Sequence, residues 1–246
     1  MRVRAVVAYD GTGYGGFQRQ TNAPTIQEEL ETALAQVTQE TITVLAAGRT
    51  DAGVHAAGQV IAFDTGWRHG VGALQRALNA VLPADIAVQK IDEAVPGFHP
   101  RYDARSRHYR YTLHNAPVRW PLARFYSLHV VAPLDVEAMQ AAAQVLIGEH
   151  DFAAFGQPPR GNKRSGATTR RVMVAEWGKK SPWLTFDIEA NAFLYRMVRS
   201  IVGTLLQVGR EELSVEEFAA VLKSCERSQA GPTVPPHGLS LMEVKY

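Results

Sequence analysis

The chain has a single cysteine, Cys225, in 246 residues, which excludes an intrachain disulfide framework and suits a reducing compartment. It also lacks an uninterrupted apolar run of membrane length. The longest candidate, AFLYRMVRSIVGTLLQVG, is broken by Arg196 and Arg199 and reads as a helix of a globular protein. The opening MRVRAVVAYD has none of the charged, apolar and small-residue regions of a signal peptide, so the expected location is the cytoplasm. No G-x-x-x-x-G-K-[ST] phosphate loop, G-x-S-x-G nucleophile elbow or zinc-like ligand cluster occurs, and the eight histidines are scattered, so no metal site is expected. Carboxylates are scarce at one place in particular: between Thr41 and Phe63 the only acid is Asp51. A paired-carboxylate site needs a second acid nearby, and none is there.

What remains has the composition of an ordinary globular protein, 46% hydrophobic and 20% charged, long enough for one large or two modest domains. The net charge is only +2, yet from Arg101 to Arg171 eleven Lys/Arg stand against five Asp/Glu, while Glu211 to Glu226 is acidic. Arginine supplies 20 of the 26 basic residues, and its planar fork favours bidentate recognition of phosphate over simple solubility. A general bias toward arginine gives the same count, so composition leaves the partner open.

Hydrophobic periodicity predicts a strand at Val3–Tyr9, a helix at Ile26–Val37, strands at Thr41–Ala47 and Gly58–Phe63, a helix at Val71–Ala80 and a strand at Asp85–Ile91. Thr25 is the expected N-cap of the first helix, with Glu28 completing a capping box. That order is βαββαβ, the split βαβ unit. After Pro100 a similar order returns: strands near Ser106–His114 and Phe125–Val131, a helix from Val136 to Ile147 capped by Asp135, and strands near Thr168–Trp177 and Trp183–Ala190. A helix through Phe193–Val208, a short helix after Ser214 and a strand at Leu239–Lys245 complete it. The expected fold is therefore α+β, two ferredoxin-like halves with mainly antiparallel sheets, divided near residue 104 into domains 1–104 and 105–246. A long polar loop, basic and rich in Gly and Pro, is expected between Gly148 and Gly166.

DGTGYGGF contains a literal G-x-G-x-x-G at Gly11, Gly13 and Gly16 after a strand. A dinucleotide site also needs a helix opening at the third glycine, and here FQRQTNAPT intervenes. The alternatives are a loop offering Tyr14, Phe17, Gln18 and Arg19 to a ligand, and an ordinary glycine turn. GRTDAGVHA connects two apolar stretches at a sheet end, where a rigid scaffold positions functional groups. Gly48 and Gly53 let backbone and substrate approach closely there. The plainer reading of Asp51 is a turn residue bonded to local amides, and that of His55 a structural loop histidine. In FHPRYDARSRHYRYTLH, a strand from Ser106 puts Arg107, Tyr109 and Tyr111 on one face and His108, Arg110 and Thr112 on the other. That fits a stacking platform beside a phosphate track, and it fits a core face with solvated arginines equally well. In NAFLYRMVRSIVG, Arg199 lies one turn beyond Tyr195 on an apolar helix, where an arginine either snorkels or pairs with an acid.

GRTDAGVHA, with YDGTGYGGFQRQ, TIQEEL, LPADIAV, FHPRYDARSRHYRY and NAFLYRMVRSIVG, resembles the tRNA pseudouridine synthase A family essentially end to end. One departure is Phe17, where relatives often have Trp. The resemblance implies a cofactor-independent isomerase that converts uridine to pseudouridine at positions 38, 39 and 40 of the tRNA anticodon arm. It also implies a homodimer with an active-site cleft between the two halves. Carried over by motif, Asp51 is the nucleophile, Tyr109 the aromatic against the target base, and Arg199 the partner of the aspartate. Arg49 helps hold the flipped nucleotide, and Arg19, Arg107 and His55 complete the expected substrate-binding set. The chemistry is consistent with a lone acid: a glycosidase uses two carboxylates to activate water, whereas a detached uracil is itself the returning nucleophile. A guanidinium beside a carboxylate keeps it ionised out of water. Extruding the base costs a few kcal/mol, and stacking on an aromatic returns about 1–3 kcal/mol. Two rival readings of the same residues are a non-catalytic RNA-binding module and an RNA N-glycosidase.

Overall fold

The computed structural model describes residues 1–157 and 167–246. In chain order its elements are β1 (Arg2–Tyr9), α1 (Ile26–Thr38), β2 (Leu45–Ala46), β3 (His55–Asp64), α2 (Val71–Val81), β4 (Ile86–Glu93), β5 (Ser106–Asn115), β6 (Leu128–Val130) and α3 (Val136–Gln144). They continue with β7 (Gly148–Asp151), β8 (Thr169–Lys180), β9 (Trp183–Ala190), α4 (Met197–Gly209), α5 (Val215–Ser224) and β10 (Leu239–Lys245). The fold is α+β and mostly antiparallel. Two compact units form, Met1–Arg105 with Ser240–Tyr246, and Ser106–Leu239.

In the first unit the strands run β4-β1-β3-β10, with β2 on β3. β1 alternates strictly, burying Val3, Ala5, Val7 and Tyr9, so one pleat face enters the core. α1 buries Ile26, Leu30, Ala33 and Leu34, a stripe at helical spacing. Its cap is Thr25, whose side chain accepts from the Glu28 amide at 3.3 Å.

Three expectations change here. Of Thr41–Ala47 only Leu45–Ala46 joins the ladder, although Ile42 and Val44 are buried. The Val44 amide donates instead to the Glu31 carboxylate of α1 at 3.1 Å, so the alternation records burial without a strand partner. β3 begins at His55, three residues before the expected Gly58, because β10 pairs parallel with it at Ser240↔His55 and Leu241↔Ala56. The same pairing takes the closing strand out of the expected 105–246 domain and into the first unit.

The second unit orders its strands β5-β9-β8-β7, with β6 parallel to β5. Asp135 caps α3 by accepting the Ala138 amide at 2.8 Å, and Ser214 opens α5 with a full capping box. The expected strand Phe125–Val131 shortens to Leu128–Val130 behind a 3-10 turn at Pro121–Ala123. Gly148–Asp151, expected in the long loop, is a strand antiparallel to β8; residues 158–166 of that loop lie outside the described residues. α4 starts at Met197 rather than Phe193, since Arg196 takes a left-handed φ of 61° that a helix does not continue through. Tyr195 therefore does not share a helix with Arg199. Among the described residues no helix is long and apolar enough to cross a membrane, and no group of three or more His, Cys, Asp or Glu is placed to hold a metal ion.

Candidate active site

Asp51 sits half-buried in the connection between β2 and β3. That connection is held from three sides. The buried Tyr9 hydroxyl at the end of β1 hydrogen-bonds Thr50 Oγ1 at 2.8 Å. Gln59 Nε2 of β3 donates to the Gly48 carbonyl at 2.9 Å and reaches the Tyr9 hydroxyl at 3.4 Å. From the glycine loop, the Phe17 amide donates to the Thr50 carbonyl at 3.1 Å. Inside the turn the Val54 amide closes on the Asp51 carbonyl at 3.1 Å. Burial pushes the Tyr9 phenol up to about 12, only partly offset by its bonds to Thr50 and Gln59, so it stays a neutral tether throughout the working pH range.

The DGTGYGGF loop is thus a bracket rather than a nucleotide cradle. Phe17 is 2% exposed, with its ring 6.3 Å from that of Tyr9. The Gly16 carbonyl accepts the Ile26 amide, and the Phe17 carbonyl the Gln27 amide, at 3.3 and 2.9 Å; these bonds tie the bracket to the start of α1. Tyr14 donates to Asp85 at 2.8 Å, and burial together with that carboxylate holds its phenol well above the ordinary range.

The expected site residues of this unit separate by exposure. Arg49 is exposed and makes no hydrogen bond or ion pair among the described residues. Arg19 is exposed and lies 3.6 Å from Glu28 and 3.3 Å from Glu31 of α1. His55 is 5% exposed, its Nδ1 lying 3.1 Å from both the Gly11 amide nitrogen and Asp10 Oδ1. Such a ring fastens the glycine loop to β3. Sequence reasoning missed Tyr9, Thr50 and Gln59; the available signal was Gln59, a polar side chain within the apolar run GQVIAF.

In the second unit β5 alternates as expected, with Arg107, Tyr109, Tyr111 and Leu113 buried. Tyr111 belongs to the core at 0% exposure, its hydroxyl donating to the Pro235 carbonyl at 2.8 Å. Burial raises that phenol well above its usual range, and the charge of Arg199 draws it back slightly. Tyr109 is 9% exposed and meets Phe193 edge-on at 5.0 Å. Arg107 is also 9% exposed and donates to the Asn191 carbonyl at 2.9 Å. On the other face, His108 and Arg110 both engage Asp187, at 2.6 and 2.9 Å. Arg199 Nε donates to the Val234 carbonyl at 2.8 Å while the Val234 amide returns to the Arg199 carbonyl at 3.3 Å. The segment before β10 thereby fixes the direction in which the guanidinium leaves α4. Each unit thus carries a preorganised group: a half-buried carboxylate on a pinned turn in one, an anchored guanidinium near the buried Tyr111 in the other. Such groups suit nucleophilic attack and charge stabilisation.

A family profile described as tRNA pseudouridine synthase matches residues 5–103 and 142–246. Among relatives, the tRNA pseudouridine synthase A of Geobacter sulfurreducens is 45% identical over 244 residues, covering 99% of each chain. That of Chloroflexus aurantiacus is 46% identical over 246 residues, 99% of this chain and 88% of the other. That of Moorella thermoacetica is 47% identical over 249 residues, 99% of each. With a matching profile over most of its length and relatives this similar from end to end, the chain belongs to the tRNA pseudouridine synthase family.

Proposed function

We propose that the protein is an isomerase converting uridine to pseudouridine in the anticodon stem-loop of tRNA, with Asp51 as the nucleophile on a flipped-out uridine. The observation that carries the assignment is the pinned turn: Tyr9, Gln59 and Phe17 hold Gly48 and Thr50 just before Asp51, and the Val54 amide closes on the Asp51 carbonyl after it, leaving a half-buried carboxylate with little freedom to move. The reaction breaks the N1–C1′ bond, turns the uracil and rejoins it through C5, from which one proton departs. It is redox-neutral, so side chains suffice.

In this reading Arg199 is the partner of the nucleophile, as the family resemblance implies, and Tyr109 contacts the target base. Arg49, exposed two residues before Asp51, grips the extruded nucleotide, and Arg19 adds a peripheral contact. Arg107 and His55 position the strand and loop that carry the others. In this reading the protein works in the cytoplasm, the reducing compartment that its single cysteine suits, and as a homodimer, as the family resemblance implies.

The test is tritium release from an unmodified tRNA transcript labelled at uridine C5. Wild-type protein releases tritium while the RNA keeps its uracil. Asp51→Asn slows release by about 10⁴-fold or more, the scale on which loss of a nucleophile acts. Equal release by both proteins removes Asp51 from the chemistry, and free uracil as product would make the protein an N-glycosidase.

A further inference from the structure

The second unit contains a pocket of about 580 Å³ whose walls include His114, His129 and His237, Arg119, Arg124 and Trp120. Among the described residues no carboxylate lines it. The sequence around it is equally one-sided: from Ala104 to Leu134 there is no Asp or Glu, but five arginines and three histidines. His114 and His129 face each other across the parallel β5–β6 pairing, rings 5.5 Å apart, with Trp183 packed on His114 at 4.7 Å. His114 is 5% exposed, and its Nδ1 has no hydrogen-bond partner among the described residues. A buried polar atom without a partner is uncommon and calls for one. Arg119 has no hydrogen bond or ion pair among the described residues. Arg124 spends one donor on the Pro121 carbonyl at 3.2 Å and lies over the Phe125 ring at 4.1 Å. Trp120, part of the lining, leaves 55% of its surface exposed.

Converging guanidiniums and imidazoles without an acid select an anion, and arginine forks select phosphate oxygens. The pocket has the volume of a small-molecule site rather than of one phosphate group, and an exposed indole beside it is what a nucleobase stacks on. We propose that this pocket is an RNA-binding site outside the residues assigned to the chemistry. It takes a backbone phosphate between Arg119 and Arg124 and the adjoining base against Trp120. The inference rests on the tRNA reading above for the identity of the RNA.

The experiment measures Kd for an unmodified tRNA transcript across a salt series, with variants checked for an unchanged melting temperature. Replacing Arg119 and Arg124 together by Ala weakens binding about tenfold and makes the slope of log Kd against log salt shallower by about 1 to 2. Replacing both by Lys restores the slope. Trp120→Ala weakens binding about tenfold with the slope unaltered. A folded double Ala variant with wild-type Kd and slope overturns the proposal. So does inorganic phosphate that saturates the pocket without competing with tRNA. Val118 and Leu122 nearby are 75% and 79% exposed; if the double variant falls from two chains to one with its salt slope intact, the patch is a contact between copies and the proposal fails. Binding and chemistry are read separately. A wild-type protein that binds tRNA through these arginines yet releases no tritium loses the isomerase reading and keeps the pocket, whereas one that binds no tRNA loses the pocket.

Discussion

A methyl group built on Gly11 would lie 2.1 Å from the Val54 carbonyl oxygen, and one on Gly16 would lie 2.8 Å from that of Thr50. Both atoms belong to the turn that carries Asp51, so these glycines are spaces into which that turn fits. Gly16 also has a φ of 110°, which L side chains rarely adopt. Gly13, between them, has nothing within 4 Å of its added carbon and serves as an internal control. Gly11→Ala must push the turn away; it should cost about 1–3 kcal/mol of stability and slow tritium release at least tenfold, while Gly13→Ala changes neither by much. Thermal melts and the release assay on the two variants check this, and matching values for both would refute close packing as the reason for Gly11. At this scale Asp51 was legible because it stands alone among glycines. The tether was not: Tyr9 and Gln59 meet Thr50 and Gly48 only through the β1–β3 register, where Val7 opposes Gln59 and the ladder shifts before Tyr9 opposes Ala56.

Among the elements, β5 shows which part of a pattern sequence can resolve. Its alternation was readable, yet whether the tyrosine face is platform or core depends on what covers it, and Tyr111 proved to be core. The polar face was also undetermined until β9 supplied Asp187 directly across from Arg110. Burial alone would raise the Asp187 carboxyl, but hydrogen bonds from His108 and Arg110 and their charges outweigh it and hold it below the ordinary carboxylate range. A depressed value in the folded state means stability that is present above the unfolded pKa, about 3.9, and lost as pH falls through the lower folded value. Asp187→Asn should therefore cost about 1–3 kcal/mol near neutral pH, and the gap from wild type should narrow as pH drops below about 4. Urea melts of both proteins at neutral pH and in acid measure it; a gap independent of pH would show that the charge contributes nothing. The early start expected for α4 has a different cause. Apolar residues continue back to Phe193, so periodicity runs on, while the left-handed Arg196 stops the helix.

The chain as a whole leaves its first unit after Arg105 and re-enters it at Ser240, a return with no local signal because the partner of the last strand lies far back in the sequence. β10 covers β3 where that strand emerges from the Asp51 turn, pairing Ser240 with His55 and Leu241 with Ala56. Gly58 permits the approach, since a side chain there would meet the Met242 carbonyl oxygen at 2.2 Å. The end of the chain is fastened further: the Arg105 amide donates to the Lys245 carbonyl at 2.8 Å, and Tyr246 packs on Phe98 at 5.1 Å and donates to the Pro100 carbonyl at 2.8 Å. Leu241 and Val244 are 0% and 7% exposed, and burying each stabilises the unit by about 1.5–3 kcal/mol. The terminal seven residues are therefore part of the scaffold of the candidate site rather than a trailing segment. Deleting Ser240–Tyr246 should strip hydrogen-exchange protection from His55–Asp64 and from the Phe98–Arg105 segment, leave α3 and β9 largely protected, and reduce tritium release because the Asp51 turn loses its support. Protection retained along β3 would show that the closing strand is dispensable to the first unit. Loss spread evenly over both units would show instead that they unfold as one, and that β10 stabilises the molecule rather than the turn.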